Sequence, residues 1–301
     1  MIYKSFAQLI KQVSNSKVKR TVAVVAAHDS HTLEAVSRAT KDNIVTPLLI
    51  GQKKLIIELL SVLGERLSDY TIIHAETVED AALKAATLVN EGQANFLMKG
   101  LLDTSILMRV LLSEKGGFRT GNLISHLGFV QIANYHKLIG ITDTALNIYP
   151  DVYQKKAIVE NAINTMTRMG FDTPRVAILA AVENVNPKMP ETVDAAELKR
   201  LNREGSLPGC IIEGPISYDL AMSKEAAEIK GFVSPIPGDV DLLVVPNIAS
   251  GNILIKALRY SAEAKSAGIV IGGKVPIVLT SRASEVESKY LPLVLAASAA
   301  I

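Results

Sequence analysis

Residues 21–41, "TVAVVAAHDSHTLEAVSRATK", contain the pattern that decides the fold of this chain. The first seven residues are apolar and rich in valine, which favours a buried strand, and the residues after them follow the periodicity of an amphipathic helix. Three more pairs of an apolar run and a helical segment follow, with the apolar runs beginning at residues 46, 70 and 94. Strands that alternate with helices predict βαβ units and a parallel sheet.

The alternation is interrupted in the middle of the chain. Residues 122–146 contain two successive strand patterns without a helical segment between them, which predicts an antiparallel pair. The alternation then resumes, so we place a domain boundary near Gly121. The sequence therefore predicts an α/β protein of two domains with mostly parallel sheets. One domain comprises residues 1–121 and 274–301, and the other comprises residues 122–273.

The composition excludes several classes of protein. With 301 residues, 49% of them hydrophobic, and a net charge of only +2, the chain is typical of a globular protein without a basic surface for nucleic acid. Residues 1–12 have the pattern of an amphipathic helix, not of a signal peptide, and no apolar run is long enough to span a membrane. Cys210 is the only cysteine and lies in an apolar run, which predicts a buried structural thiol. We therefore expect a cytoplasmic protein without nucleic-acid or membrane partners.

A serine and an arginine follow the last apolar run, residues 275–280. Ligands of parallel sheets bind beyond the carboxyl ends of the strands, which is where Ser281 and Arg282 stand. A helix is predicted to begin near Ser284, and its N-terminus together with the guanidinium of Arg282 favours a phosphate. The alternative is that a serine caps this helix and the arginine is solvated. This stretch alone leaves both interpretations open.

Two other predicted strands are followed by polar residues. Ser250, Gly251 and Asn252 come after the apolar run that ends near Val245, where Ser250 can cap a helix and Gly251 permits a close backbone approach. Asp219 follows another such strand, where it either orients a substrate or begins an ordinary helix. Helix capping also accounts for all of these residues, so they do not by themselves define a site.

Few cationic or metal-binding side chains stand out. Arg109 lies among apolar residues of a predicted helix, so we expect it to be buried with an anion partner. Lys99 follows the fourth apolar run, although isolated cations of this kind are more often structural than functional. Among the five histidines only His28 and His31 lie close together, and helix capping explains that pair better than a metal does. We therefore predict no metal site.

Five segments, taken together and in this order, resemble the phosphate acetyltransferase and phosphate butyryltransferase family. They are "LMKGLLDTSILMRVLLSEKGGFRTGNLISHLGF" (97–129), "GITDTALNIYPD" (140–151), "IIEGPISYDLA" (211–221), "VVPNIASGNILIKAL" (244–258) and "GKVPIVLTSRASEVES" (273–288). An ordered set of this kind is far more specific than any of its parts. The compact length and the wording "VPIVLTSR" are closer to the butyryl branch.

The resemblance implies a fold, a reaction and an assembly. The fold has two α/β domains with the active site in the cleft between them, and it is shared with isocitrate and isopropylmalate dehydrogenases. The reaction moves a short acyl group, here most simply butyryl, between coenzyme A and inorganic phosphate, and gives an acyl phosphate by direct attack in a ternary complex. Coenzyme A and phosphate are thus substrates, no cofactor or metal is tightly bound, and the protein works as a homodimer or a higher oligomer.

The resemblance also implies roles for individual residues. Ser281 and Arg282 match the family's catalytic pair: the arginine would hold the phosphate, and the serine would donate a hydrogen bond to charge that develops on the thioester or the leaving thiolate. Arg109 matches an arginine at the phosphate or coenzyme A site. The other positions that we take as substrate-binding from the matched segments are Lys99, Ser125, Asp219, Ser250, Gly251 and Asn252.

The chain departs from the acetyltransferase pattern at two places. Ser288 stands where that branch has a carboxylate proposed as the base for the thiol, and Glu287 precedes it. Either Glu287 substitutes, or no side-chain base is used, which is chemically tolerable because a thiol has a pKa near about 8.5 and a nearby arginine lowers it. The second arginine that acetyltransferases carry has no counterpart in residues 70–91.

Three other functions compete with this one. The first is the acetyl specificity of the same family. The second is a metal- and NAD-dependent dehydrogenase of the same fold, but its metal needs clustered aspartates, and Asp239 and Asp241 precede a strand instead of ending one. The third is a non-catalytic protein that binds acyl-coenzyme A. The intact Ser281–Arg282 pair argues against that third reading.

Overall fold

The structure is a computed structural model that describes residues 3–281 and 285–300. The chain forms two compact units. The first unit comprises Phe6–Asn122 together with the chain from Ala267 onward, and the second unit comprises Leu123–Ser266 together with the residues before Phe6. Within the described residues, no helix is long and apolar enough to cross a membrane.

The helices and strands alternate along most of the chain. Up to Asn122 they are α1 (Phe6–Ser14), β1 (Arg20–Val25), α2 (Ser30–Lys41), β2 (Val45–Gly51), α3 (Lys53–Val62), a 3-10 helix (Leu67–Asp69), β3 (Thr71–His74), α4 (Val78–Asn90), β4 (Phe96–Lys99) and α5 (Thr104–Leu111). The middle of the chain forms β5 (Ser125–Gln131), β6 (Ile139–Thr142), α6 (Val152–Arg168), β7 (Arg175–Leu179), α7 (Pro190–Arg203), β8 (Ile211–Ile216), α8 (Tyr218–Met222), α9 (Lys224–Ile229), β9 (Leu242–Val244) and α10 (Ile248–Ser261). The last elements are β10 (Lys265–Ile271), β11 (Ile277–Val278) and α11 (Val286–Ala299).

The sheet of the first unit has the strand order β3-β2-β1-β4-β11-β10. All of these strands are parallel except β10, which runs antiparallel to β11. Val22–Val25 of the central β1 are completely buried, as expected for a parallel strand that is covered on both faces. The alternation predicted from residue 21 onward is therefore confirmed.

The sheet of the second unit has the strand order β5-β6-β9-β7-β8. Here β6, β9, β7 and β8 are parallel, whereas β5 is antiparallel to β6, with Gly128 opposite Ile141. The antiparallel pair predicted for residues 122–146 is thus confirmed. It arises because the short connection between the two strands leaves no room for a crossover helix.

The helix starts differ in detail from those predicted. The helix expected to begin at Ser250 begins at Ile248, because Asn247 and not Ser250 is its N-cap. The helix α11 begins at Val286, and after its polar first turn it is apolar on all sides, so that it is buried almost to its end. Ser284, where we expected its start, lies outside the described residues.

In each unit the parallel strands end at one edge of the sheet, which we call the carboxyl edge of that unit. The carboxyl edge of the first unit carries the residues that follow β1, β4 and β11. The carboxyl edge of the second unit carries those that follow β6, β7, β8 and β9, and also the beginning of the antiparallel strand β5. Ligands of α/β folds bind at such edges, so the candidate residues must be sought there.

Candidate active site

Ser281 stands at the carboxyl edge of the first unit. It follows β11, whose Ile277 and Val278 pair with β4 in the interior of the sheet. Buried strand residues thus deliver an exposed serine at the point where the strand ends. Arg282, the second member of the predicted pair, lies outside the described residues.

A buried lysine lies beside Ser281. Lys289 is on α11, and its side chain is 2% exposed. Its Nζ lies 3.3 Å from the carbonyl oxygen of Ser281, 3.5 Å from the hydroxyl of Thr280 and 3.7 Å from Oδ2 of Asp29. Burial lowers the pKa of Lys289, and the carboxylate of Asp29 opposes that effect. Sequence reasoning missed this residue, because a lysine near the start of a helix is usually solvated.

Lys99 also lies at this edge and is buried. It is the last residue of β4, and its Nζ donates hydrogen bonds to the carbonyl oxygens of Leu102, at 3.0 Å, and Gly100, at 3.4 Å. A Cβ atom on Gly100 would lie 2.3 Å from the carbonyl oxygen of Ala26, so only glycine lets the end of β4 pass so close to the end of β1. The ammonium of Lys99 therefore shapes the turn that follows β4.

The prediction that Arg109 is buried is wrong. Its side chain is 70% exposed, and its Nη2 lies 3.7 Å from Oε1 of Glu79. The reason is the helical period: Leu107 and Leu111 are buried on one face of α5, and a residue two positions from each of them points to the other face. Arg109 thus presents its charge to solvent, where an anion can reach it.

Asp143 organises the carboxyl edge of the second unit. Its Oδ1 accepts hydrogen bonds from the backbone N–H groups of Ala145, at 2.9 Å, and Leu146, at 3.0 Å. Its Oδ2 accepts from the N–H of His126, at 3.1 Å, and from the side chain of Asn147, at 2.6 Å. A buried carboxylate with four donors fixes the loop after β6, and the sequence held no signal for this because one donor comes from β5 and the other three from the loop.

Ser125 and His126 begin the antiparallel strand β5 at the same edge. Ser125 is completely buried, and its hydroxyl accepts a hydrogen bond of 3.1 Å from the side chain of Asn161. The Nδ1 of His126 lies 2.8 Å from the hydroxyl of Thr144. Burial lowers the pKa of His126, with Asp143 opposing the effect, so the imidazole is neutral at neutral pH.

Ser250, Gly251 and Asn252 form the first turn of α10. The Ser250 hydroxyl donates to the carbonyl oxygen of Asn247, at 2.9 Å, within a capping box. A Cβ atom on Gly251 would lie 2.9 Å from the carbonyl oxygen of Asp143, and the amide of Asn252 donates to the carbonyl oxygen of Thr144, at 3.4 Å. The segment therefore packs the start of α10 against the loop that Asp143 organises.

Asp219 is exposed and engaged in an ion pair. Its carboxylate lies 3.0 Å from Nζ of Lys230, which also reaches Glu183 at 3.4 Å. Ser217 donates a hydrogen bond to Glu183, which extends the cluster across the ends of two strands. Hydrogen bonds from Ser217 and Lys230 hold the pKa of Asp219 below its usual value, so the group is an anion at neutral pH.

Glu287, the candidate base, is bound to another side chain. Its Oε2 lies 2.5 Å from Nη1 of Arg38 on α2. The guanidinium of Arg38 also stacks 3.8 Å above the ring of Tyr290, whose hydroxyl donates to Asp42 at 2.6 Å. Glu287 thus joins α11 to α2.

Other reactive groups are sequestered. Cys210 is buried, as predicted, and burial raises the pKa of its thiol to about 12, which removes it as a nucleophile. Asp239 and Asp241 lie at the amino ends of the strands, where Nζ of Lys137 contacts them at 2.7 and 2.6 Å. Among the residues that the structure describes, no three His, Cys, Asp or Glu side chains are grouped as metal ligands.

The chain is similar to known proteins over nearly its whole length. The family described as "Phosphate acetyl/butaryl transferase" matches residues 65–297. A phosphate butyryltransferase of Clostridium acetobutylicum is 39% identical over 98% of this chain and 97% of its own, and a phosphate acetyltransferase of Thermotoga maritima is 39% identical over 97% and 99%. The crystal structure of a branched-chain phosphotransacylase from Enterococcus faecalis, 33% identical, superposes with a TM-score of 0.81 over 93% of this chain and 98% of that one.

Proposed function

Since the chain belongs to the phosphate acetyl/butyryl transferase family of enzymes, we propose that it transfers a short acyl group between coenzyme A and inorganic phosphate to give an acyl phosphate. Butyryl is the group that we propose first, as the family resemblance implies. Acetyl is the alternative, because relatives named for either acyl group are equally similar to this chain. We also propose a cytoplasmic location, because coenzyme A thioesters and phosphate are cytoplasmic metabolites.

The observation that carries the proposal is the exposed Ser281 at the end of a buried parallel strand. A phosphate oxygen attacks the thioester carbon, the carbon–sulfur bond breaks, and the thiolate of coenzyme A leaves. The hydroxyl of Ser281 donates a hydrogen bond to the negative charge that develops in this step, and one such donor lowers a barrier by roughly 3–4 kcal/mol. To Arg282 we assign the binding of phosphate, as the family resemblance implies.

We propose that the transfer uses no side-chain base. The carboxylate of Glu287 forms an ion pair with Arg38. Phosphate is already an anion at neutral pH and needs no base to activate it. The thioester is itself activated, so that positioning and charge stabilisation suffice for the reaction.

The other candidate residues have supporting tasks in this proposal. Arg109 is an exposed cation suited to a phosphate group of coenzyme A or to the substrate phosphate. Ser250, Gly251 and Asn252 set the position of a helix N-terminus, and Asp219 contributes a fixed negative charge. Lys99 and Ser125 act by holding backbone and neighbouring side chains, because both are buried and hydrogen-bonded.

We also propose that the protein is a homodimer or a higher homo-oligomer. Five large apolar side chains are exposed on α10, on the first turn of α6 and in the loop before α6. This loop contacts the start of α10 through a hydrogen bond from Ile248 N to the carbonyl oxygen of Ile148. The exposed side chains are those of Ile148, Tyr149, Tyr153, Ile253 and Tyr260. A cluster of this kind is typical of an interface. Light scattering after size exclusion gives the mass, and a monomer at micromolar concentration would contradict this part of the proposal.

The release of coenzyme A thiol, followed with a thiol-reactive dye, tests the function. Esters from acetyl to hexanoyl are compared with and without phosphate. We expect release that requires phosphate and is fastest with butyryl or a neighbouring chain length. Release without phosphate would instead indicate a thioesterase, and binding of the esters without release would indicate a non-catalytic binding protein. No release with any ester, together with a melting temperature that EDTA lowers and magnesium restores, would favour the dehydrogenase alternative.

A further inference from the structure

Lys289 is a buried cation whose contacts are poor for stability. A buried ammonium group loses its hydration, and only short, well-aligned partners compensate for that loss. The three partners of Lys289 among the described residues lie at 3.3, 3.5 and 3.7 Å. The carboxylate among them, Asp29, is shared with the N-terminus of α2, where it accepts a hydrogen bond of 2.8 Å from Thr32 N. Contacts of these lengths compensate poorly for the lost hydration, so stability alone does not explain the lysine.

Two of the three partners belong to the strand end that carries Ser281. One is the carbonyl oxygen of Ser281 itself, and the other is the hydroxyl of the residue before it, Thr280. Contacts to the Thr280 side chain and to the Ser281 carbonyl oxygen restrict the backbone at Ser281, which sets the direction of the Cα–Cβ bond that carries its hydroxyl group. A positive charge held in a site of low dielectric also favours negative charge that develops nearby.

We propose that Lys289 is a positioning residue that orients the hydroxyl of Ser281 for acyl transfer and supplies a fixed positive charge behind it. The inference rests on the role proposed above for Ser281. Asp29 holds the ammonium in place, so that α2, β11 and α11 together determine where the serine stands.

The substitution Lys289→Met tests the proposal, because it keeps the volume of the side chain and removes the charge and the hydrogen bonds. We expect kcat to fall about 10- to 100-fold, as for a misplaced catalytic group, with KM for the acyl-coenzyme A and for phosphate nearly unchanged. The matched control is Lys137→Met. Lys137 is an equally buried lysine at the amino ends of the second unit's strands. After its loss the Arg175 side chain still contacts Asp239, and the Arg175 backbone N–H still donates to the carboxylate of Asp241. The control variant should lose thermal stability but keep its kcat.

A double-mutant cycle separates this inference from the function on which it rests. Since the proposal has Lys289 act in part through Ser281, Lys289→Met should cause a smaller loss in a protein that already carries Ser281→Ala than in the wild type. An undiminished turnover of Ser281→Ala alone would overturn the proposed role of the serine. A loss in Ser281→Ala combined with wild-type turnover in Lys289→Met, or fully additive losses in the double variant, would overturn only the role of Lys289.

A second variant covers the case in which Lys289→Met does not fold. Lys289→Gln keeps a polar side chain, but its amide ends one bond earlier than the ammonium and carries no charge. We expect the same fall in kcat at unchanged KM. Wild-type turnover in this variant would overturn the proposal.

Discussion

The substitution Gly251→Ala tests how closely α10 must approach the loop after β6. The added Cβ atom would lie 2.8 Å from Cγ2 of Val245, 2.9 Å from the carbonyl oxygen of Asp143 and 3.1 Å from Cα of Thr144. Two of these three neighbours are backbone atoms, and the four hydrogen bonds to the Asp143 carboxylate hold their loop rigid. The clash is therefore relieved by a shift of α10 and not by a change of side-chain rotamer.

Overpacking of this kind costs about 1–3 kcal/mol of folding free energy. A change of 1 kcal/mol shifts the Tm of a domain of this size by about 2–4 °C, so we expect a fall of roughly 2–12 °C. Alanine has the higher intrinsic helix propensity, by about 1 kcal/mol over glycine, so the lower half of that range is the better expectation. Because the shift of α10 also displaces its first turn, KM for acyl-coenzyme A should rise, while kcat should change less.

Thermal unfolding by circular dichroism and steady-state kinetics measure the two effects. The control is Gly273→Ala, because a Cβ atom at Gly273 has no neighbour within 4 Å. It should leave both Tm and KM near the wild-type values. A Gly251→Ala protein that is as stable as this control, with an unchanged KM, would refute the reasoning that the close approach of α10 requires glycine.

Three further outcomes are expected. Ser281→Ala should lower kcat about 100-fold or more and change the KM values little, since a hydrogen-bond donor to developing charge stabilises the transition state by roughly 3–4 kcal/mol. The assay is phosphate-dependent thiol release. A kcat within threefold of the wild-type value would contradict the proposed role of the serine. Glu287→Gln should keep the pH–rate profile of the wild type, because Glu287 is bound to Arg38. Loss of the acidic limb of the profile would identify it as the base. Burial alone would raise the pKa of the Glu65 carboxyl group, but hydrogen bonds, the strongest from Lys41, hold this pKa below its ordinary value of 4.5. The ionised carboxylate therefore stabilises the fold above pH 4.5, and this contribution is lost as the pH falls through the lower pKa of the folded state. The difference between wild type and Glu65→Gln in urea unfolding should therefore shrink from neutral pH to about pH 3, and a constant difference would contradict this assignment.

The parts of the structure that were predictable from the sequence are those that depend on local pattern. The valine-rich run of β1 and the helical period after it specify a βαβ unit, and the absence of a helical pattern between β5 and β6 specifies an antiparallel pair. The wrong prediction for Arg109 came from its immediate neighbours in the sequence and not from the helical period. Its sequence neighbours are apolar, but those at the spacing that places side chains on one helix face, Leu107 and Leu111, exclude position 109 from the buried face.

The contacts that shape the candidate site were not predictable from local pattern. Lys289 is buried because α11 is covered on all sides, and Asp29, which opposes its loss of charge, stands 260 residues earlier in the chain. The carboxylate of Asp143 accepts hydrogen bonds from β5 as well as from its own loop, so no regular spacing in the sequence predicts its role. Such groups depend on which strands are neighbours in the sheet, and strand order is a property of the whole fold.

The charged groups at the two carboxyl edges differ in how far their charge is neutralised by their contacts. This difference indicates which unit stabilises negative charge in the proposed reaction. At the edge of the second unit the carboxylate of Asp143 is saturated by four donors and His126 is neutral, so these groups hold structure and add no net positive charge. At the edge of the first unit the ammonium group of Lys289 is buried, and among the described residues it contacts a carbonyl oxygen, a hydroxyl group and, at 3.7 Å, the carboxylate of Asp29. Positive charge in a site of low dielectric acts strongly on an anion nearby. The first unit is therefore the one suited to stabilise phosphate and the departing thiolate, and Ser281 stands there.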